Sequence, residues 1–268
     1  CSYCIIPYVR GDARSMDEAK ILEQVSRLAS NGFGEFVLTG TNVGSYGQGE
    51  GRNIAALMQK MALIRGVRRI RVGSLEPIQI NDAFREILDE PWLERHLHIA
   101  IQHSSDAMLR IMNRRNRIAN DMELFGMLHA KGFALGTDFI VGHPGETDTL
   151  WDEAMQNLRQ LHLTHIHPFT YSKRDGTPSA TMKPEVNGNV SAQRMAELNA
   201  LIDANNRRFR EEHRVALEVL VESGENGLYT GYDQFYNKVL IEHTEDLCGD
   251  WITLEHYEVH NEYTMAKF

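Results

Sequence analysis

The chain opens with two cysteines three residues apart, Cys1 and Cys4, followed by a proline and two arginines in "CSYCIIPYVRGDARS". A Cys-x-x-Cys pair suits half a zinc site, a thiol redox centre, or part of an iron–sulfur binding loop, because thiolates are soft ligands and good redox nucleophiles. A zinc site needs further ligands, and Cys248, the remaining cysteine, stands without a companion at ligand spacing. A thioredoxin-like centre lies between a strand and a helix in a much smaller fold, so neither alternative fits well. Three cysteines with two crowded together also make a poor disulfide framework, which suits a reducing compartment and an expected cytoplasmic location. Twelve histidines raise metal binding again, but pairs such as His165 and His167 are spaced as strand residues are, so most are expected to be structural or exposed.

Chemistry of this kind needs a scaffold, and the remaining sequence predicts one. The stretch "SMDEAKILEQVSRLASNG" places Ile21, Val25 and Leu28 at helical spacing, opens at Ser15 with Glu18 three residues later, and stops at Gly32. The apolar run "EFVLTG" predicts a strand, and further strands are predicted over 68–74, 97–102, 136–142 and 164–172. Helical stretches lie around 53–64, 81–90, 105–113, 119–131 and 147–161. Strand and helix in strict turn argue for parallel βαβ units, and so many of them for a full or partial barrel, with an open doubly wound sheet as the rival. Residues 173–190, rich in Gly, Pro, Thr and Asn, predict a loop, and a long amphipathic helix follows over 191–213. Beyond it, "VALEVLVESG", "GLYTGYDQFYNKVLIEH" and "DWITLEHYEVHNEY" alternate apolar and polar residues between Gly-containing turns. This predicts a small all-β module of some five strands, the size of an OB-like barrel. The expected organisation is an α/β unit over 1–213 and an all-β unit over 214–268.

At 268 residues the chain is long enough for a large buried core. No apolar run of about 18 residues exists to span a bilayer, so no membrane partner is expected. No secretory signal is present in the sequence given, which also lacks an initiator methionine. The net charge of −9 is uneven: 11 acidic and 3 basic residues lie from Arg214 onward, against 26 and 25 before it. Phosphate-rich partners are repelled by acidic surfaces, which bears on what the all-β module can grip.

"CSYCIIPYVRGDARS" resembles the last two cysteines of the CxxxCxxC loop of radical S-adenosylmethionine enzymes, and its CIIPY-x-RG-xx-RS wording resembles the methylthiotransferase family. The resemblance implies a partial (β/α)6 TIM-like barrel followed by a TRAM domain of OB-like form. It also implies that a first loop cysteine and an N-terminal domain would precede Cys1. Cys1 and Cys4 would then ligate a 4Fe-4S cluster, whose free iron chelates S-adenosylmethionine and passes it an electron, releasing a 5'-deoxyadenosyl radical. A second 4Fe-4S cluster would belong to the N-terminal domain of the complete enzyme. Other segments agree along almost the whole chain. "VLTGTNVGSYG" makes Gly40 and Asn42 cofactor candidates; "RVGSLEP" adds Ser74 and Glu76 for the cofactor's carboxylate or ribose; "IQHSSD", where the family is usually written QSGSD, adds Gln102 and Ser104. "DFIVGHPGET" resembles DxIVGFPGET with His143 in place of Phe, and "FTYSKRDGTPSA" resembles the family's YSxRxGTxA loop, where Arg174 would meet an anionic substrate or the cofactor.

In the all-β module the resemblance makes Tyr232 and Tyr236 candidates for stacking on bases. Loop wording sits closest to the branch that adds a methylthio group to carbon 2 of N6-threonylcarbamoyladenosine next to the tRNA anticodon. The alternatives are a modifier of an aspartate in a ribosomal protein, which the acidic module favours, an isopentenyladenosine tRNA enzyme, and a non-catalytic RNA- or zinc-binding module. Arg65, Arg68, Arg69 and Arg71, Arg114, Arg115 and Arg117, and Arg207, Arg208 and Arg210 read singly as solvated faces and together as a phosphate track. The expected partners are tRNA, an external electron donor and a sulfur source, and the protein is expected to be monomeric.

Overall fold

The computed structural model describes residues 1–267. After a short helix α1 (Ile6–Arg10), α2 (Glu18–Ser30) turns its apolar stripe inward, burying Val25 and Ala29. Its cap differs from expectation. Asp17 accepts from the Lys20 amide at 3.1 Å, whereas Ser15 accepts from the Gly47 amide at 2.9 Å and ties the preceding loop to another segment.

Five strands then alternate with helices: β1 (Glu35–Leu38), α3 (Ile54–Ala62), β2 (Arg69–Val72), α4 (Asp82–Arg85), β3 (His96–His98), α5 (Asp106–Ile111), α6 (Ile118–Ala130), β4 (Ala134–Val141), α7 (Asp148–Leu158) and β5 (Leu163–Thr170). β1 pairs parallel with β2, and β3, β4 and β5 form a second parallel set. Single parallel bridges, Ile70 to Leu93 and Leu75 to Ile99, join β2 to the chain of β3, so the five strands follow one another around a partial barrel. Alternation decides what each face carries. Phe36, Ile70, Val72, Leu97, Ile99, Leu135 and Phe139 point outward into one core shared with the helices. The other face of the same strands carries Glu35, Arg69, Arg71, His96, His98, Asp138, His165 and His167. The barrel interior is therefore polar and rich in imidazole.

The long helix α8 (Gly188–Glu212) lies along β5 and leads into β6 (Leu217–Glu225), β7 (Leu228–Tyr232), β8 (Lys238–Glu242), β9 (Trp251–Leu254), β10 (Glu258–Val259) and β11 (Thr264–Lys267). These form one sheet in the order β10-β11-β8-β7-β6-β9 around a second core of Leu217, Val219, Val221, Val239, Ile241 and Leu254, to which Phe209 of α8 is added. Among the described residues there are six strands here where the sequence predicted some five, because the last apolar stretches divide between β9, β10 and β11.

The β module sits against the N-terminal ends of the barrel strands. Arg69 donates to the Glu218 carbonyl at 2.9 Å and the Tyr232 carbonyl at 3.3 Å, and Arg71 donates to the Asp233 carbonyl at 2.9 Å. Both guanidiniums also pair with Glu35, and Arg71 with Glu94 at 2.5 Å. Buried cations need such partners, since desolvation is costly otherwise. A phosphate track drawn through the arginine clusters must therefore lose Arg69, Arg71, Arg114 and Arg210, all buried. Arg65, Arg68, Arg115, Arg207 and Arg208 stay exposed.

Candidate functional site

The cysteine turn lies at the opposite end, over the C-terminal ends of the strands. Cys4 donates its amide to the Cys1 carbonyl at 3.3 Å, which closes the turn; Cys1 is exposed, Cys4 half-buried, and both thiols are free. Ser2, between them, is buried and pinned from two sides. Its amide donates to the Met112 carbonyl at 2.9 Å and its hydroxyl to the Ile111 carbonyl at 3.1 Å, while the Ser179 amide donates to the Ser2 carbonyl at 2.9 Å. Ser179 Oγ lies 2.9 Å from Ser2 Oγ and 2.8 Å from Nε2 of the buried His143. The segment after β5 thus clamps the turn, and His143 completes the clamp.

Arg114 organises the rest of the mouth. It forms a fork with Glu76 at 3.0 and 2.7 Å, donates to the Ala100 carbonyl at 2.5 Å and reaches Cys1 Sγ at 3.5 Å. From Glu76 the connection continues. The Glu76 amide donates to Gln79 Oε1 at 2.8 Å, and Gln79 Nε2 donates to Asn42 Oδ1 at 2.7 Å. Tyr3 is pressed among these groups, and burial pushes its phenol up to about 12 despite the opposing Arg114 cation.

Below the mouth, Asp138 gathers a second set. Ser74 and Gln102 approach Oδ2 at 3.4 Å each, while His98 Nε2 stands 3.1 Å and His167 Nδ1 3.6 Å from Oδ1. Burial would raise the Asp138 pKa, but the hydrogen bond and charge of His98, with His167 and Ser74, bring it below the ordinary aspartate value. Gly136 is a packing requirement here: a Cβ on it would stand 2.9 Å from both His96 Nε2 and His98 Nδ1. Deeper still, burial holds His165 down to about 4 and His96 well below its usual value, so both are neutral imidazoles. Tyr236 stacks on His96 with centroids 5.4 Å apart, Tyr232 stacks on Tyr236 at 5.0 Å, and the Arg71 guanidinium lies over Tyr236.

The structure sorts the sequence-predicted residues into groups. Cys1, Glu76 and Asn42 belong to the run through Arg114 and Gln79; Ser74 and Gln102 meet on Asp138. Gly40 and Asn42 also line a cleft of 630 Å³ between α2 and β1. Arg174 is exposed and its carbonyl accepts from Thr177, leaving its guanidinium at the surface beside the clamp. Tyr232 and Tyr236 occupy the far end of the barrel interior, away from the cysteines. Ser104 requires correction as a cofactor contact: fully buried, it donates to the Ala154 carbonyl of α7 at 2.8 Å, so its hydroxyl fixes a helix and is not presented at the mouth. Gln102 itself occupies the left-handed region at φ 67, whereas Ser104, which stands where the QSGSD wording has glycine, is not among the residues of positive φ. Sequence reasoning missed Ser2, Arg114 as an organiser, Asp138, and the inward set of His96, His98, His165 and His167. The His-x-His spacing at 96–98 and 165–167, on strands with apolar alternate residues, was the available signal.

Two free thiols on one closed turn, flanked by a buried guanidinium, fit an iron–sulfur anchor for which they supply two ligands. Cys248 is no candidate for a third, because it lies in the turn before β9 on the β module, with its amide bonded to Asp246.

Comparisons with known proteins bear on the family and the fold. The sequence profile of the Radical SAM superfamily matches residues 1–158. A Helicobacter pylori protein provisionally named a methylthiotransferase is 50% identical over all of this chain and 65% of its own length. The threonylcarbamoyladenosine tRNA methylthiotransferase MtaB of Bacillus subtilis is 33% identical over all of this chain and 62% of its own, and a tRNA-2-methylthio-N(6)-dimethylallyladenosine synthase of Bacillus velezensis is 34% identical over 93% of this chain and 51% of its own. The chain thus spans less than two thirds of the length of these relatives. Among solved structures, the radical S-adenosylmethionine methyltransferase TsrM of Kitasatospora setae superposes with a TM-score of 0.54 at 16% identity, covering 67% of this chain and 36% of that one. Coproporphyrinogen III oxidase HemN of Escherichia coli gives 0.54 at 12% identity, covering 81% of this chain and 60% of that one. At such identities these two speak for the fold.

Proposed function

This chain belongs to the radical S-adenosylmethionine superfamily, and from that premise we propose that it forms the barrel and β module of a tRNA methylthiotransferase, placing a methylthio group on carbon 2 of N6-threonylcarbamoyladenosine next to the anticodon. The observation that carries the reading is the bonded run from Asn42 through Gln79, Glu76 and Arg114 to Cys1, which sets a carboxylate and a cation beside two cluster-type thiols at the C-terminal ends of parallel strands. Relatives named as methylthiotransferases supply the reaction class, and alignment of the threonylcarbamoyladenosine enzyme along the whole chain supports the nucleoside.

In this reading Cys1 and Cys4 hold the cluster. When bound, the cluster and S-adenosylmethionine supply one-electron cleavage of the sulfonium carbon–sulfur bond. The chain's own residues do the rest. Arg114 balances thiolate charge next to Cys1 and fixes Glu76, whose half-exposed carboxylate can accept from the amino or ribose hydroxyl groups of the cofactor. Ile140, Met108 and Met112, packed with Tyr3 and Tyr171, form an apolar wall that keeps water away from a reactive radical. A second cluster, an electron donor and a sulfur source complete the proposed system.

The dimethylallyladenosine reading has a specific support in relatives of that name at similar identity. Mass spectrometry of tRNA nucleosides from cells lacking the gene separates the two. Loss of 2-methylthio-N6-threonylcarbamoyladenosine, with its precursor accumulating, is expected. An unchanged level of that nucleoside overturns the assignment, and loss of the methylthio-isopentenyl nucleoside replaces it. Unchanged levels of both turn attention to a ribosomal-protein substrate, the partner that the acidic β module would suit.

A further inference from the structure

We propose that His98, Asp138 and His167 form a binding site for a divalent first-row transition metal inside the barrel, separate from the cysteine turn. Two imidazoles and one carboxylate are the donor set that such ions accept with positions left open. Their mutual placement already suits an ion. For bonds of about 2.1 Å, neighbouring donor atoms stand about 3.0 Å apart in an octahedron and about 3.4 Å apart in a tetrahedron. Here His98 Nε2 and His167 Nδ1 lie 3.1 and 3.6 Å from the same oxygen, Asp138 Oδ1, and all three donor atoms fall within 4.8 Å of one another.

A hydrogen-bonded pair accounts for His98 and Asp138 but leaves His167 converging on an oxygen at a distance too long for a good hydrogen bond. An ion between the three would account for both approaches. The surroundings support it. Asp138 Oδ2 is approached by Ser74 Oγ and Gln102 Nε2 at 3.4 Å each, which orients Oδ1. The site is also reachable: His98 is 9% exposed, Asp138 20% and His167 64%, so the ion's open positions would face the barrel interior.

The test uses metal alone. The chain, with Cys1, Cys4 and Cys248 all replaced by serine to silence thiolate binding, is treated with chelator and titrated with Co2+ and Zn2+, following the visible spectrum of Co2+ and the heat of Zn2+ binding. One equivalent is expected, with a Co2+ spectrum of nitrogen and oxygen ligation. His167→Ala, at an exposed position that folding tolerates, should weaken binding by more than about 100-fold, and Asp138→Asn should do the same with shape retained. No binding in the cysteine-free chain, or binding that His167→Ala and Asp138→Asn leave unchanged, overturns the proposal. Neither result touches the nucleoside assay, so the two readings fail separately.

Discussion

Arg114 and Arg115 are neighbours in "MNRRNR", yet one is 7% exposed at the centre of the mouth and the other lies on the surface. The difference arises because α5 ends just before them and Asn113 turns through φ 53, directing Arg114 inward; a run of arginines carries no sign of this. The spacing of the cysteine pair, by contrast, marked it out while leaving three chemistries open, and Glu76, Ser74 and Gln102 became candidates only through the resemblance of the loops around them. Two predictions belong at this scale. Replacing Arg114 with Lys loses the fork on Glu76 and the reach to the Ala100 carbonyl. It should cost about 1–3 kcal/mol in urea unfolding of the chain, since a point charge cannot satisfy three acceptors in different directions. Stability equal to the native chain would deny Arg114 its organising part. Cys4→Ser in the complete enzyme, reconstituted without air, should lower bound iron and labile sulfide at the barrel site and abolish S-adenosylmethionine cleavage; retained cleavage would remove Cys4 from the ligand set.

Strands carried their message more plainly than caps and turns did. Short apolar runs in turn with helical stretches placed all five barrel strands within a few residues, because one face of each has to meet the helices whatever the other face does. What the pattern could not say is that the opposite face would converge, so that histidines spaced as strand residues on β3 and β5 become neighbours across β4. Convergence depends on Gly136 lying between them. Gly136→Ala introduces a Cβ at 2.9 Å from two imidazoles and should cost about 1–3 kcal/mol, as overpacking does. The measurement is urea unfolding beside the native chain, and an unchanged midpoint would mean that the histidines yield without penalty. The capping signal at Ser15 misled for a simple reason: Ser15 and Asp17 are both good cap residues, and tertiary contact with the Gly47 amide claims the serine.

Across the molecule, barrel and β module share one buried junction of arginine and carbonyl groups, with Asp233 beside it. Asp233 is buried, and although the Phe235 and Asn237 amides donate to it, burial pushes its pKa up to about 6. The unfolded chain, with an ordinary aspartate pKa, releases this proton at lower pH than the folded chain does. Stability from this group is therefore fully present below about pH 4 and is lost as pH rises through about 6, an effect of order 3 kcal/mol. Urea unfolding of the native chain and of Asp233→Asn at steps from pH 4 to 7 should show the native curve falling relative to the variant; parallel curves would show that Asp233 ionises normally. The two-part organisation was legible in the change of pattern after α8, but the junction was not, since charged residues on a strand next to a loop read as solvent-facing. The same junction limits how such modules can be exchanged. A β module borrowed from a relative would have to present main-chain oxygens to Arg69 and Arg71 at matching positions; otherwise two guanidiniums are left dehydrated and unanswered. Grafts between homologues should therefore succeed only when those two barrel positions travel with the graft.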